Sequence, residues 1–310
     1  MAARITVIGA GVIGLSCAVR LAEAGHQVDV MAREMPLETT SAVAGGLWQP
    51  FLAEPADLVN RWARSTYQAF AELSDDHDRT GVFQRPGYLL GLPERPTFAD
   101  GLPVGLTPIS HPHPDHRSGW HLTVPIVDMS LYLPYLVERL EAAGGTLTRM
   151  PLTALPTRGL VVNCTGLASR ALAADPTVYP VRGQVLRMSN PGISEWWADD
   201  TDPDTLTYVL PQSRFIVVGG TAQVDDFETT PDEKLGAEIL ERAQRLVPAL
   251  TRATVLSHRV GLRPGRPKIR LETVKGADGT IVHCYGHGGS GVTLSWGCAD
   301  DVLAEVSQLA

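Results

Sequence analysis

The residues from Ile5 to Arg33, ITVIGAGVIGLSCAVRLAEAGHQVDVMAR, restrict the fold more than any other stretch of the chain. A short apolar run, Ile5, Val7 and Ile8, enters Gly9-Ala10-Gly11-Val12-Ile13-Gly14. Apolar residues then recur at helical spacing, Ile13, Cys17, Leu21 and Ala24, before Gly25 and a second β-rich run from Gln27 to Met31. Strand, glycine turn, helix and strand in that order form the context a dinucleotide fingerprint requires. Gly9 permits the tight turn, Gly11 lets the backbone approach a pyrophosphate, and Gly14 lets the helix pack against the strand. The helix N-terminus then offers free N–H groups and a partial positive charge to the phosphates. A purely structural glycine turn in an empty doubly wound sheet is the alternative reading.

Other classes are disfavoured by composition. The chain has 310 residues, 44% hydrophobic and 19% charged, which suits one large or two medium globular domains. No window approaches the unbroken apolar length of a membrane span, so no membrane partner is expected. A strand beginning at Arg4 leaves no leader expected, and Ser307-Gln308-Leu309-Ala310 carries no organelle address. A net charge of −8 argues against a nucleic-acid partner. Cys17, Cys164, Cys284 and Cys298 are widely spaced and show no metal-ligand spacing, so free thiols in a reducing cytoplasm are expected.

Along the chain, Pro36 to Pro50 has a polar front at Thr39, Thr40 and Ser41 and a Gly45-Gly46 pair, compatible with phosphate, a flat ring or an ordinary turn. Leu58 to Leu73 has a helical pattern, and Phe83 to Leu92 reads as a hairpin around Arg85-Pro86-Gly87. Pro93 to Gly119 shows little periodicity and reads as a solvated loop. The histidines His111, His113, His116 and His121 invite a metal, but Pro112 and Pro114 keep them off one helix face, and no metal is expected. Val127-Asp128-Met129-Ser130 opens a helix from Leu131 to Ala143, ended by Gly144-Gly145. Gly159 to Gly166, GLVVNCTG, reads as a buried parallel strand running into a Thr-Gly turn, so the chain returns to the sheet it began. Tyr179 to Met188 reads as a bent strand, Thr207 to Gly220 as a hairpin and Ala237 to Val247 as an amphipathic helix, together a largely antiparallel second domain.

The C-terminal part is the most distinctive. His258 to Glu272, HRVGLRPGRPKIRLE, has prolines at 264 and 267 that exclude a helix and can hold the Arg263 guanidinium rigidly. A rigid guanidinium fork suits a substrate carboxylate. A solvated basic loop with pairs such as Arg270 and Glu272 is the competing reading. Ile281 to Trp296 is then a strand entering a second glycine-rich turn, Gly286 to Gly291, and a final helix from Thr293 to Leu309. Two such turns exceed what a nicotinamide enzyme usually needs and suit a larger dinucleotide such as FAD.

Across nearly the whole chain, VIGAGVIGLS (7–16), AGGLWQP (44–50), VVNCTG (161–166), Tyr208-Val209-Leu210-Pro211, GLRPGRPKIRLE (261–272) and VHCYGHGGSGVTLSWGCA (282–299) resemble the D-amino-acid oxidase family of flavoproteins, microbial members in particular, a family that also includes D-aspartate oxidase. Departures fall at Cys284, more often polar or alanine there, and at Ser290, often aromatic. The resemblance implies an α/β fold with a discontinuous Rossmann-like FAD-binding domain (1–50, 134–175 and 258–310) and a substrate-binding domain with a mainly antiparallel sheet (51–133 and 176–257). It implies that Arg263 pairs with the substrate carboxylate, Tyr208 donates to it, the Gly289 carbonyl accepts from the amine, and Gln49 lies beside the pocket. Toward FAD it implies Gly9, Gly11, Val12, Ile13, Gly14, Arg33, Thr40, Ser41, Gly45, Gly46, Leu47, Val162, Gly288, Ser290, Gly291, Val292 and Thr293, with Glu34 offset by one place from the family's ribose acid.

The activity implied is oxidation of a D-amino acid by molecular oxygen, yielding a 2-oxo acid, ammonia and hydrogen peroxide. A hydride leaving the α-carbon for the flavin needs orientation rather than a base once the amine is neutral. The family's animal members carry a lid tyrosine that Asp202-Pro203-Asp204-Thr205-Leu206 lacks, which implies a more open pocket. Without an evident second cation, though Arg187 and Arg214 remain candidates, neutral D-amino acids are favoured over D-aspartate. Glycine- or sarcosine-type oxidation is a related alternative. A nicotinamide-dependent dehydrogenase, or a non-catalytic dinucleotide-binding protein, is the alternative from another class. A homodimer is compatible with the sequence.

Overall fold

The computed structural model describes residues 3–92, 94–100, 102–202 and 205–309. The chain opens with β1 (Arg4–Ile8), α1 (Val12–Glu23) and β2 (Gln27–Ala32), as the fingerprint requires. Then come α2 (Ala56–Leu73), α3 (His77–Thr80), β3 (Val82–Leu90), β4 (Thr107–His113), β5 (His116–Val127) and α4 (Met129–Ala142). β6 (Thr146–Arg149), β7 (Gly159–Asn163), α5 (Ser169–Leu172), β8 (Tyr179–Met188), β9 (Trp196–Asp199), β10 (Thr207–Pro211), β11 (Ile216–Gly219) and β12 (Gln223–Val224) follow. The chain closes with α6 (Glu233–Leu246), β13 (Val255–Gly265), β14 (Arg270–Lys275), β15 (Gly279–Tyr285) and α7 (Gly291–Ser307).

Two sheets organise these elements. The first has the order β14-β15-β7-β1-β2-β6, parallel except for the β14 edge. Its strands come from the beginning, middle and end of the chain, so the chain does leave this sheet and return. Val7, Val162 and Val282 pair across its centre and are fully buried, and α1 packs against α7 and α4. The second sheet runs β12-β8-β11-β10-β9-β3-β5-β4, with β13 also on β8, and is antiparallel apart from the β3–β9 pair. β13 pairs with β8 from Val255 to Gly265, so residues 258–265, expected with the first unit, run in the second sheet. No helix among the described residues is long and apolar enough to cross a membrane.

Two local expectations give way to tertiary contacts. Residues 83–92 do not form a hairpin, because Val82–Leu90 is one strand paired with β5 throughout. β9 joins on its other side only from Gly87, and the Trp196 indole donates to the Arg85 carbonyl at 2.9 Å where the ladder is missing. Pro86 therefore sits where no second strand needs its N–H, and a Cβ at Gly87 would overlap the Trp196 ring. The histidine segment is not a solvated loop either, since β4 and β5 form an antiparallel ribbon. His116 pairs with Asp199 at 3.1 Å, His113 Nε2 contacts the Arg245 carbonyl at 3.1 Å, and His121 packs on Tyr88.

The four cysteines, distant in sequence, meet beneath the glycine turns. The ligand atoms of Cys17, Cys164 and Cys284, and those of Cys284, His287 and Cys298, lie within 4.8 Å of one another in each group. All four thiols are free and buried, and burial pushes Cys298 above its ordinary value.

Candidate functional site

The C-terminal edge of the first sheet brings two helix N-termini together. Gly9, at φ +113°, turns the chain so closely that a Cβ there would overlap the Cys164 carbonyl. A Cβ at Gly14 would overlap the Gly9 carbonyl oxygen, so α1 crosses the turn in direct contact. The first intrahelical bond of α1 is Leu15 N–H to the Gly11 carbonyl, at 3.0 Å, which leaves the amides of Val12, Ile13 and Gly14 outside the helical ladder. Val12 N–H instead donates to Ser41 Oγ at 3.0 Å. At the second turn, Leu294 N–H to the Ser290 carbonyl is the first bond of α7, leaving Gly291, Val292 and Thr293 in the same state. A Cβ at Gly291 would stand 3.9 Å from Val12 Cγ1, so the two turns adjoin.

We expect Gly14→Ala to disrupt this corner, because the clash is with backbone and cannot be relieved by a rotamer. A loss of about 3 kcal/mol or more in stability and failure to retain the expected dinucleotide through gel filtration are the predicted results, read by thermal unfolding and by the absorbance of the protein fraction.

Other residues of the expected cofactor set have varied placements. Just past β2, Arg33 is exposed and Glu34 half-exposed, and the two pair with each other at 2.5 Å. Thr40 Oγ1 donates to the Leu262 carbonyl at 3.1 Å, tying a 3-10 turn at Thr40–Val43 to β13. Gly46, at φ +76°, accepts on its carbonyl from Val127 N–H at 2.9 Å, and Leu47 bridges to Ile126. Val162 lies in mid-strand with its side chain fully buried, so only backbone at the end of β7 borders the turns. The side chains of Ser290 and Thr293 bond within the protein. Ser290 Oγ donates to the Phe51 carbonyl at 2.8 Å, and Thr293 Oγ1 to the Gln49 carbonyl at 3.1 Å. Both hydroxyls anchor the 47–51 segment to α7, exchanging bonds with the backbone of Gln49 and Phe51. Gly288, at φ +54° with open space where a Cβ would be, presents an unobstructed backbone.

Beside these turns Asn163 ends β7. Asn163 Oδ1 accepts from Thr165 N–H at 3.2 Å and Thr165 Oγ1 at 2.8 Å, so its Nδ2 faces His283 Nδ1, 3.1 Å away, and donates to it. The imidazole is thereby held neutral, and burial, with the Arg270 charge nearby, pushes His283 from 6.5 down to about 4. A folded value below the unfolded one contributes stability that is present above about pH 6.5 and is lost as pH falls through about 4. His283→Gln is therefore expected to show a shallower decline of Tm across that window than the parent protein.

The substrate-side residues converge on the other side of the second turn. Arg263 Nη1 donates to the Thr221 carbonyl at 2.8 Å, and its guanidinium lies flat over Gly183, where a Cβ would overlap it. Among the described residues no carboxylate lies within ion-pair distance of Arg263, whereas Arg266 pairs with Asp175 at 3.0 Å and Arg270 with Glu272 at 2.6 Å. Those pairs are of the kind the competing reading expected, although most of the stretch runs in β13 and β14 and not in a solvated loop; Arg263 departs from that pairing. The Tyr208 ring rests on Gly219 and Gly220, and its hydroxyl has no hydrogen-bond partner among the described residues. A Cβ on the exposed Gly289 would stand 3.8 Å from Arg263 Cδ and 3.9 Å from Phe51 Cδ1. Gln49 donates through Nε2 to Asp200 Oδ2 at 2.7 Å. Arg187, a candidate second cation, instead donates to the Ala42 carbonyl at 3.1 Å and stacks over Phe215 at 4.6 Å. Of the expected lid run, Pro203 and Asp204 lie outside the described residues. Gly183 was read from sequence only as the bend of the Tyr179–Met188 strand, with no role in the site, and Thr221 and Asp200 were not singled out; Asp200 directly follows β9, whose alternation would have hinted at its side.

The two adjoining N-termini, the open backbone at Gly288 and the Arg263 guanidinium beyond it, which faces no carboxylate among the described residues, suit an anionic dinucleotide whose far end reaches a carboxylate-binding pocket. Residues 4–305 match the family described as FAD dependent oxidoreductase. The chain is 44% identical to a D-amino-acid oxidase of Rubrobacter xylanophilus, covering 97% of this chain and 95% of that one. It is 45% identical to a D-amino-acid oxidase of Streptomyces coelicolor, covering 96% and 94%. The fold is similar to that of glycine oxidase from Bacillus cereus, with a TM-score of 0.82, 19% identity, and 99% and 96% of the two chains covered.

Proposed function

Because this chain belongs to the FAD-dependent oxidoreductase family, we propose that it oxidatively deaminates D-amino acids with FAD as cofactor and molecular oxygen as acceptor. The amino acid and oxygen yield an imino acid and hydrogen peroxide, and water converts the imino acid to a 2-oxo acid and ammonia. Bound FAD supplies the acceptor for the hydride of the substrate α-carbon. The first glycine turn and the amides of Ile13 and Gly14 would hold its pyrophosphate, with Arg33, Glu34 and the Thr40-Ser41 turn at its rim. The segment Gly45-Gly46-Leu47 and the backbone from Gly288 to Thr293 would border its ring.

The protein's own contribution is orientation. Arg263 receives the substrate carboxylate on the donors that Thr221 leaves free, and the Tyr208 hydroxyl donates to the same group. The Gly289 carbonyl accepts from the amine. Three points of contact hold the α-C–H toward the flavin in one enantiomer only. The observation that carries this reading is the guanidinium of Arg263, aligned by Gly183 and Thr221 yet without a carboxylate among the described residues. D-aspartate is disfavoured because Arg187 is committed to Ala42 and Phe215. A cytoplasmic setting accords with four free buried thiols.

The test is peroxide production by the purified protein with added FAD, across D- and L-amino acids, glycine and sarcosine. Turnover of D-amino acids with neutral side chains, and not of their L-forms, is expected. Turnover of D-aspartate alone would overturn the substrate reading, and a yellow protein yielding no peroxide with any of them would overturn the oxidase itself.

A further inference from the structure

The second sheet separates its side chains onto two faces. Leu90, Val209 and Ile216 pack with α6 residues such as Ile239, whereas Leu89, Ala198 and Leu210 join the core shared with the first sheet. Tyr208 pairs directly with Ala198, so both occupy this second face. Asp200 follows Ala198 by two residues and returns to the same face, while Asp199 points away and pairs with His116 at 3.1 Å. Gln49 confirms the placement. Its side-chain amide donates to Asp200 Oδ2 at 2.7 Å, and its backbone N–H donates to Thr293 Oγ1 at 3.2 Å, at the second glycine turn. A carboxylate thus stands on the pocket-facing side of the sheet, and no cation lies within ion-pair distance of it among the described residues.

We propose that Asp200 forms a side-chain subsite that selects D-amino acids with a cationic side chain, such as D-lysine, D-ornithine and D-arginine. The proposal rests on the oxidase reading, with Arg263 and Tyr208 as anchors of the α-carboxylate. Asp200 directly follows β9 and its N–H still faces the Leu90 carbonyl at 3.4 Å, so it stands about 7 Å along the chain from Ala198, the residue opposite Tyr208, a span matched by the four-carbon stem of lysine. A partly dry carboxylate whose polar partner is one neutral amide carries an uncompensated desolvation cost. Burial raises the Asp200 carboxyl above its ordinary value and Asp199 adds to this, against the lowering effect of Gln49. An ammonium or guanidinium arriving with the substrate removes that cost, whereas an acidic side chain meets like charge. Selectivity for neutral over acidic side chains thereby extends to the basic ones.

The deciding measurement is the ratio of kcat/KM for D-lysine to that for D-norleucine, its uncharged counterpart, in the holoenzyme and in Asp200→Asn. The asparagine keeps an acceptor for Gln49 and removes only the charge. The ratio is expected to fall about tenfold or more in the variant. Competitive inhibition supplies a second readout. 6-Aminohexanoate should inhibit more tightly than hexanoate, and that preference should vanish in Asp200→Asn. An unchanged ratio, or a parent enzyme that turns over D-norleucine but not D-lysine, would overturn the subsite while leaving the oxidase intact. Absence of peroxide from D-norleucine and D-alanine alike would overturn both.

Discussion

Arg263→Ala is expected to lower kcat/KM for a neutral D-amino acid by about a hundred- to ten-thousand-fold, with FAD still bound. The guanidinium is part-buried, aligned by the Thr221 carbonyl at 2.8 Å and by the flat face of Gly183. Two charge-assisted hydrogen bonds to a carboxylate, each worth about 1.5–3 kcal/mol, account for that range. The loss should fall on kcat as well as KM, because the same contacts orient the α-C–H. Arg263→Lys restores the charge but not the fork and should recover only part of the loss. Steady-state peroxide assays, with the visible flavin spectrum as a control for cofactor retention, make the comparison. Near-normal turnover by Arg263→Ala would remove the carboxylate anchor from the mechanism.

Gly183→Ala is expected to come close to that loss without touching the arginine. A methyl group at position 183 would occupy the space held by Arg263 Cζ, Nη1 and Nη2. Gly183 lies within β8 and pairs with Gly261 of β13, in backbone geometry that alanine can adopt. The clash is therefore with the mobile end of a side chain, which can swing aside at a cost of about 1 kcal/mol or less. What is lost is the alignment of the fork. A fall in kcat/KM of about a hundredfold, with Tm and the flavin spectrum close to those of the parent, is the expected pattern. A large drop in Tm would instead mark Gly183 as a packing residue. Gly14→Ala offers a contrast, since its clash is with the Gly9 carbonyl and should affect folding and FAD retention together.

What the sequence by itself determined was local. The strand, glycine turn and helix of residues 5–33 follow from apolar spacing and from three glycines whose absent side chains the turn demands. The strand at Gly159–Asn163 and the second turn between β15 and α7 follow in the same way. Each motif lies within one window, and its backbone requirements are written in the residues that satisfy them. The chain's return to its first sheet was legible because a buried parallel strand leaves a continuous apolar run.

What only the tertiary structure decided depends on partners distant in the chain. Arg85 to Gly87 form part of a strand, not a turn, because Trp196 fills the gap beside them. The hydroxyls of Ser290 and Thr293 serve the 47–51 backbone, although their position at a helix N-terminus suggested a cofactor. Four cysteines without useful spacing come together because α1, β7, β15 and α7 share one core. Among the described residues Arg263 stands without a carboxylate and Asp200 without a cation for the same reason. Spacing along a chain reports which residues share a helix face or strand side, whereas the charge opposite a side chain is set by whichever segment folds across from it.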